Sequence, residues 1–330
     1  MREIAISLEN VTKRFGPAHG GKRPRAAGGP PPAVNALSLE VRKGEMFGLI
    51  GPDGAGKTTT IRMICGLLRP NDGRITVLGR DPVREHDSVT RSTGYLSQRF
   101  SLYGDLTIDE NIAFFAEIHG VSGYEGRRDR LLDMTQLTPF RGRLADRLSG
   151  GMKQKLALAC TLVHEPEVIL LDEPTTGVDP VSRREFWKLL SQFLEQGITI
   201  VMATPYLDEA ERCSRVALLS EGRLLVADEP DALRQGLPGR IVEVIAAPQQ
   251  PAMAALAKAP GAIDVQNFGE RIHVRLAEAG GDTGGHGPSL DDLRASLEQA
   301  GVQVSGIRPV QASLEDVFIN RVMEAKAVQS

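Results

Sequence analysis

The stretch Gly51-Pro52-Asp53-Gly54-Ala55-Gly56-Lys57-Thr58-Thr59 decides the fold of this 330-residue chain. It matches the phosphate-binding loop pattern G-x-x-x-x-G-K-[ST] without a gap. Residues 45–50 (EMFGLI) before it, apolar after Glu45, predict a short buried strand, and residues 60–68 (TIRMICGLL) after it have apolar side chains at helical spacing. The loop is therefore predicted to join a strand to a helix, a context in which backbone N–H groups and a helix N-terminus bind phosphate.

This loop supplies groups for both phosphate and metal binding. Lys57 is predicted to reach the β- and γ-phosphates of a nucleotide, and the Thr58 hydroxyl to ligate Mg²⁺. The predicted ATP-binding residues of the loop are Gly51, Pro52, Asp53, Gly54, Ala55, Gly56, Lys57, Thr58 and Thr59. The alternative is a glycine-rich turn that matches by chance, which the flanking strand and helix disfavour.

A second segment, residues 168–173 (VILLDE), predicts an apolar strand that ends in two carboxylates. A buried parallel strand presents side chains at its C-terminal edge, where ligands bind in such sheets. Asp172 is thus predicted to bind Mg²⁺, directly or through water, and Glu173 to polarise an attacking water. Alone, the pattern fits a strand that ends in a polar turn equally well; together with the phosphate loop it indicates a nucleotide site.

The third segment is residues 148–154 (LSGGMKQ), followed by a helical run at 155–163. Ser149 is a candidate N-cap, and the two glycines leave the helix N-terminus open to an anion. Together the three segments resemble the ATP-binding subunit of an ABC transporter, because the LSGG–Q pattern distinguishes that family from other P-loop ATPases. The resemblance covers roughly residues 3 to 238.

The resemblance implies roles for further residues. Gln98, after the strand-like residues 93–97, looks like the glutamine that senses the γ-phosphate and the membrane partner, and it joins Thr58 and Asp172 as a Mg²⁺ ligand. Phe15 lies where the family has an aromatic that stacks on adenine; the alternative is an ordinary core aromatic. The implied catalytic residues are Glu173, Gln98 and Lys57. Residues 177–180 (GVDP) look like the loop that links two active sites, so the residues implied to bind ATP across a dimer are Ser149, Gly150, Gly151 and Asp179.

One position departs from the family pattern. After the strand predicted at residues 198–202, ABC ATPases usually carry a histidine, but here the sequence is Ala203-Thr204-Pro205-Tyr206. Proline has neither a side-chain donor nor an N–H. The loss of one charge-assisted hydrogen bond costs roughly 1.5–3 kcal/mol, so we expect normal ATP binding and slow hydrolysis. Asp53 is a milder departure, and its carboxylate is expected to point away from the phosphates.

The predicted fold class is α/β: a P-loop ABC ATPase domain over residues 1–238, with a mixed sheet core, an antiparallel edge formed by strands at 4–8 and 36–41, and a helical subdomain at about 100–157. Thr107 is a candidate N-cap for a helix over 108–118. Phe100, Tyr103 and Leu106 are candidates for lining the groove that receives a membrane-protein helix, or else for closing the subdomain's own core. Residues 17–32 are rich in proline and glycine and predict a poorly ordered insertion. It is either a solvated loop or a basic tether to lipid or a partner chain.

Residues 239–330 predict a second, accessory domain. Strands at 240–246, 262–268, 271–276 and 302–307 alternate with helices at 253–258 and 290–299. This β-α-β-β-α-β order predicts a small α+β ferredoxin-like domain. A last helix from about Ser313 resembles the C-terminal appendage of ATPase subunits of type-2 ABC exporters of the daunorubicin and multidrug-resistance kind; the alternative is a plain structural helix.

Bulk properties fit this interpretation. The net charge of −3 provides no field that attracts nucleic acid, so no nucleic-acid partner is expected. The three cysteines show no metal spacing and are expected to be buried in a reducing compartment. No apolar run approaches the length needed to cross a bilayer. The resemblance implies a cytoplasmic subunit that is peripheral on the inner face of the membrane, held by permease chains, as a homodimer or as a heterodimer with a second ABC ATPase domain.

The sequence thus predicts an ATP-binding and hydrolysing subunit of an ABC exporter, with ATP and Mg²⁺ as cofactors, that drives efflux of an unidentified substrate through partner membrane chains. One alternative is a soluble ABC ATPase acting on a ribosome or DNA, which a single set of motifs and the lack of a heptad run disfavour. The other is a regulatory ATP-binding module with slow turnover, suggested by Pro205 and disfavoured by the intact Glu173.

Overall fold

The computed structural model describes residues 3–16, 31–98, 102–277 and 288–327. Most of the predicted insertion at 17–32, and Phe100, lie outside the described residues. The contacts divide the chain into two compact units, Met1–Pro230 and Asp231–Ser330. The boundary predicted after residue 238 lies a few residues C-terminal of this division.

The first unit is an α/β domain. Its strands are β1 (Ile4–Lys13), β2 (Val34–Arg42), β3 (Met46–Ile50), β4 (Asp72–Val77), β5 (Thr93–Leu96), β6 (Val168–Asp172), β7 (Thr199–Thr204), β8 (Arg215–Ser220) and β9 (Arg223–Asp228). Its helices are α1 (Lys57–Ile64), α2 (His86–Ser92), α3 (Ile108–Ile118), α4 (Glu125–Thr135), α5 (Gly150–Leu162), α6 (Pro180–Glu195) and α7 (Leu207–Ala210), and α8 (Pro230–Gln235) lies at the division between the units.

Two sheets form this unit. The larger has the order β5-β6-β7-β3-β8-β9, parallel from β5 through β8, with β9 antiparallel to β8. The smaller is antiparallel with the order β2-β1-β4. The predicted mixed core and antiparallel edge are therefore confirmed.

The parallel strands β3, β6 and β7 are buried along their whole length. Such strands are covered on both faces, which explains their nearly continuous apolar sequences. Because they run in the same direction, the residues that follow them meet at one edge of the sheet. These residues are Gly51, Glu173 and Pro205, each directly after the last residue of its strand.

The predicted helical subdomain contains α3, α4 and α5. Helix α3 begins and ends where the sequence predicts. A capping box fixes its start, because Thr107 accepts a hydrogen bond from Glu110 N–H and the Glu110 carboxylate accepts one from Thr107 N–H. Helix α5 begins at Gly150, earlier than the predicted run at 155–163, because Ser149 caps it. Tyr103 is exposed and meets Phe114 edge to face at 4.4 Å, and its role in a docking groove stays a prediction.

The second unit contains β10 (Arg240–Ala247), α9 (Gln249–Leu256), β11 (Ala262–Phe268), β12 (Arg271–Leu276), α10 (Leu290–Gln299), β13 (Gln303–Val310) and α11 (Leu314–Ala327). The sheet order is β11-β12-β10-β13 and every pair is antiparallel. Alternate strand residues such as Val242, Val244 and Val274 pack with Leu256 and Leu293 of the helices in one buried cluster. The predicted α+β architecture is therefore confirmed.

Two further observations concern the whole chain. Cys65, Cys160 and Cys213 are all buried and form no disulfide, as the sequence predicts. Burial raises the pKa of the Cys213 thiol to about 12 and raises those of the other two as well. Within the described parts of the chain, no helix is both long enough and apolar enough for a bilayer crossing.

Candidate functional site

The turn between β3 and α1 is shaped by its glycines. Gly51 lies so close to the Leu219 carbonyl oxygen that a Cβ atom there would collide with it. Gly56 has a left-handed backbone with φ 98° and is the last residue before α1. Larger residues would strain both positions. The loop therefore turns tightly and leads into a helix whose first residue is Lys57.

Lys57 lies inside this loop, with only 4% of its side chain exposed. Its Nζ donates hydrogen bonds to the Gly51 carbonyl oxygen at 2.8 Å and to the Pro52 carbonyl oxygen at 3.1 Å. The same atom lies 3.7 Å from Glu173 Oε1. The loop thus concentrates a positive charge beside the carboxylate that follows β6, an arrangement suited to a phosphate.

Asp172, the last residue of β6, is fully buried. The Thr58 hydroxyl donates to its Oδ1 at 2.9 Å, and the Tyr95 hydroxyl donates to its Oδ2 at 3.4 Å. Burial raises the pKa of the Asp172 carboxyl, and the Thr58 hydrogen bond opposes this shift. A carboxylate and a hydroxyl in contact are oxygen ligands of the kind that Mg²⁺ prefers, so these two residues fit the predicted metal site.

Glu173 has a left-handed backbone with φ 51°, which is uncommon for a residue with a side chain. Its N–H donates to the Ala203 carbonyl oxygen of β7 at 2.8 Å, which fixes this conformation. Its Oε2 accepts hydrogen bonds from Gln98 Nε2 at 3.0 Å and from Thr176 Oγ1 at 3.4 Å. The backbone thus changes direction between the two carboxylates, and strained residues of this kind cluster at functional sites.

A cavity of about 530 Å³ at the C-terminal edge of the sheet is bordered by Lys57, Thr58, Gln98 and Glu173. Asp172 lies behind Thr58, outside this lining. Its lining consists of Ala33, Asp53, Gly54, Ala55, Gly56, Lys57, Thr58, Thr59, Gln98, Glu173, Thr176, Pro205 and Tyr206. Asp53 is exposed and belongs to this lining, and the outward direction of its carboxylate stays a prediction. Ala33, Thr176 and Tyr206 of this lining, and Tyr95 behind it, were not singled out from the sequence.

Other predicted site residues lie outside this lining. Gly51 and Pro52 contribute through the carbonyl oxygens that bind Lys57. Phe15 is 48% exposed, and Lys13 Nζ lies 5.5 Å from its ring centre. Ser149 caps α5, where Met152 N–H donates to its Oγ at 3.3 Å. Gly150 and Gly151 follow at the start of that helix, and a Cβ at Gly151 would collide with Ser182.

Asp179 caps α6 and accepts hydrogen bonds from Val181 N–H at 3.1 Å and Ser182 N–H at 3.0 Å. A hydrogen bond from the Ser182 side chain, together with those from the Ser182 and Val181 N–H groups, lowers the pKa of the Asp179 carboxyl. The side chain is exposed. The N-termini of α5 and α6 therefore both bear an N-cap side chain, and Gly151 of one is in contact with Ser182 of the other.

Pro205 lines the cavity directly, and no histidine is among the described residues of that lining. Thr204 is fully buried, and its Oγ1 accepts the Tyr206 N–H at 3.1 Å. The Tyr206 ring lies 5.2 Å from the Arg183 guanidinium. The Thr204 hydroxyl is therefore buried at the end of β7, whereas Pro205 and Tyr206 border the cavity.

We expect Asp172→Asn to raise the melting temperature of the ligand-free chain at pH 7. A carboxyl whose folded pKa is raised stabilises the fold below its unfolded pKa, and this contribution is lost as the pH rises through the folded value. Asparagine removes the penalty of the buried charge but still accepts the Thr58 hydrogen bond. The variant should also lose the Mg²⁺-dependent part of the stabilisation by ATP. Thermal unfolding without ligand, with ATP alone and with Mg²⁺-ATP measures both effects. An unchanged Mg²⁺ dependence would exclude Asp172 as a ligand.

Comparison with known proteins agrees with this geometry. Residues 34–176 match the family model described as ABC transporter. The chain is 48% identical over 243 residues to the probable multidrug ABC transporter ATP-binding protein YbhF of Escherichia coli (strain K12), which covers 73% of this chain and 40% of that protein. The chain therefore spans less than half the length of this relative.

Two other relatives match over their full length. The chain is 30% identical over 333 residues to the daunorubicin resistance ATP-binding protein DrrA3 of Streptomyces coeruleorubidus, covering 100% of this chain and 99% of that protein. It is 34% identical over 329 residues to the Nod factor export ATP-binding protein I of Rhizobium sp. (strain N33), covering 97% of each.

Among solved structures, the dimeric ATP-binding cassette MJ0796 in a post-hydrolysis state with ADP and Pi is similar, with a TM-score of 0.58 and 26% identity over 68% of this chain and 98% of that one. The chain therefore belongs to the family of ABC transporter ATP-binding proteins.

Proposed function

We propose that this chain is the ATP-binding and hydrolysing subunit of an ABC exporter, which drives efflux through partner membrane chains. The observation that carries the proposal is the single cavity in which Lys57 and Thr58 of the phosphate loop meet Glu173 and Gln98, with Asp172 directly behind Thr58. Full-length similarity to proteins named for daunorubicin resistance and Nod factor export supports the direction of transport.

In this proposal each side chain has a defined task. Lys57 binds the β- and γ-phosphates, and Thr58, Asp172 and Gln98 hold Mg²⁺, which shields phosphate charge when bound. Glu173 accepts a proton from the attacking water, and its hydrogen bond from Gln98 Nε2 orients the carboxylate. Phe15, exposed after β1, is available to stack on adenine.

The proposed active unit is a dimer in which each ATP also binds the second subunit. Ser149 and Gly150 are exposed at the N-terminus of α5, with Gly151 buried directly after them, and a helix dipole attracts phosphate at such a terminus. Asp179 at the start of α6 is exposed beside it. We propose that these residues bind the nucleotide of the partner, in a homodimer or beside a second ABC ATPase domain, on the cytoplasmic face of the membrane.

Membrane recruitment tests the proposal. We expect the chain to be released from membranes by a salt wash in cells that lack its permease, and retained in cells that express it. The permease is best sought among neighbouring genes for proteins with several apolar spans. Tyr103→Ala should weaken retention if the predicted groove is used, whereas Ile118→Ala, another exposed apolar side chain of the helical subdomain, should not. Retention without a permease would contradict the proposal.

A further inference from the structure

A second cavity, of about 500 Å³, lies at the opposite edge of the central sheet. It is bordered by Glu167, directly before β6, and by Thr199, the first residue of β7. The nucleotide cavity lies beyond the other ends of these strands, about 15 Å away at 3.3 Å per residue. The lining consists of Lys43, Leu78, Arg127, Arg130, Leu131, Met134, Leu162, Glu165, Pro166, Glu167, Phe193, Gln196, Gly197, Ile198 and Thr199. The ATP site does not account for this space.

The cavity has an apolar part and a cationic part. Leu131, Met134, Leu162, Phe193 and Ile198 provide apolar surface from four different segments of the first unit. Two arginines, one turn apart on α4, and a lysine border the same space. A volume of this size is typical of sites for small organic molecules, which combine apolar walls with a few charged groups.

The two arginines lie beside the same carboxylate oxygen. Arg127 Nε lies 2.8 Å and Arg130 Nη2 lies 3.3 Å from the same atom, Glu165 Oε1. Arg127 Nη1 donates to the Val163 carbonyl oxygen at 2.7 Å, but its Nε, although buried, lacks the alignment of a hydrogen bond. A guanidinium carries five N–H donors, so this pair offers more donors than one carboxylate oxygen uses.

The Glu165 carboxylate is placed so that another anion can displace it from the two arginines. It has a left-handed backbone with φ 55°, between α5 and β6, and its side chain is 57% exposed. Its carboxylate can therefore turn into water while the arginines bind a ligand. Glu167 is exposed as well. The charged side chains of the lining are three cations and two carboxylates. Lys43 also pairs with Glu3 Oε1 at 3.0 Å, so the two arginines are the cations that remain for an anion.

We propose that this cavity binds an amphipathic organic anion. The carboxylate or phosphate of this ligand accepts hydrogen bonds from Arg127 and Arg130 in place of Glu165. Its apolar body packs on Leu131, Met134 and Phe193. An inorganic anion would leave the apolar surface uncovered, and a neutral apolar molecule would leave the donors of the arginines without a new acceptor.

Decanoate and decylamine are the probes, because they share an apolar chain and differ in the sign of charge. Isothermal titration of the full chain should show one decanoate site, with decylamine bound at least about tenfold more weakly. Decanoate should bind equally well when the nucleotide cavity is saturated with a non-hydrolysable ATP analogue. Competition with the analogue would place decanoate in the ATP site and overturn the proposal.

Variants test the location. Arg130→Ala should weaken the binding of decanoate because it removes a charged donor. The expected loss is only about fivefold, since the Arg130 side chain is 72% exposed and solvent screens its interaction. Met134→Trp should fill the apolar part and weaken decanoate about tenfold or more. Arg84→Ala, an exposed arginine outside the lining, is the control and should bind as the parent does. Because Arg130 and Arg84 are exposed, both alanine variants should unfold at the parental temperature.

Three further results would overturn the proposal. The first is equal binding of decanoate and decylamine, and the second is an unchanged affinity in both Arg130→Ala and Met134→Trp. The third is an absence of decanoate binding, with or without Arg130-dependent binding to phosphatidylglycerol vesicles; vesicle binding would assign the arginines to a membrane surface. All three results are independent of ATP hydrolysis, so they leave the proposed transport function untouched.

Discussion

Glu173→Gln should retain ATP, hold two subunits together and lower kcat by about 10²–10⁴-fold, the usual contribution of a general base. Glutamine keeps the shape of the side chain and can still accept a hydrogen bond from Gln98, but it cannot take a proton from water. Lys57, 3.7 Å from this carboxylate, stays in place to bind phosphate. Steady-state ATPase assays, nucleotide titration and size-exclusion chromatography with ATP measure the three effects.

Two further variants separate catalysis from binding. Lys57→Ala should weaken ATP binding itself by about ten- to a hundredfold, because a charged donor to phosphate contributes about 1.5–3 kcal/mol. Glu167→Gln is the control, because Glu167 directly precedes β6 whereas Glu173 directly follows it. Glu167 lies outside the nucleotide cavity, so this variant should change neither kcat nor the affinity for ATP. Hydrolysis by Glu173→Gln at the parental rate would show that the roles are assigned wrongly.

Pro205→His should raise kcat about tenfold or more with little change in ATP affinity. Position 205 borders the nucleotide cavity together with Glu173 and Lys57, so an imidazole there has access to the γ-phosphate. The substitution also relieves the restriction that proline places on Thr204. Single-turnover and steady-state rates, compared at saturating ATP, measure the change in the chemical step.

Pro205→Ala is the control for this substitution, because it relieves the backbone restriction without adding a donor. Its kcat should remain near that of the parent. Thr204 is a poor substitute for the histidine, since its side chain is buried and its oxygen accepts the Tyr206 N–H. An unchanged or lower kcat in Pro205→His would mean that the site is built around proline. A rise of equal size in Pro205→Ala would assign the gain to the relieved backbone and contradict the role of the imidazole.

Much of the nucleotide site follows from short segments. The phosphate loop, the strand before it and the strand that ends in Asp172 each carry their pattern within about ten residues, so local propensity and periodicity suffice. Helix ends were less predictable. Helix α1 ends at Ile64, before the predicted Leu68, because Gly66 turns with φ 73° and a Cβ there would collide with the Pro82 carbonyl oxygen. That contact involves a loop distant in sequence.

The residues that sequence reasoning missed depend on strand pairing. Tyr95 reaches Asp172 because β5 and β6 pair in parallel, with Tyr95 opposite Leu170. The Glu173 backbone is fixed by Ala203 of the next strand. These registers join segments separated by tens of residues, and they are set by the packing of the whole sheet. Tyr206 carries no motif of its own, and only the cavity assigns it to the site.

Because all three cysteines are buried, the rate at which each thiol is alkylated reports how often the surrounding segment unfolds. A thiol reacts as the thiolate, and burial suppresses both its formation and its access to reagents. Cys213 Sγ lies beside Gly48 of β3, so its full exposure requires that it move away from the central sheet. Alkylation rates followed by mass spectrometry would therefore measure how fast the segment around each cysteine becomes exposed. A cysteine introduced at an exposed position would be labelled selectively in the folded chain.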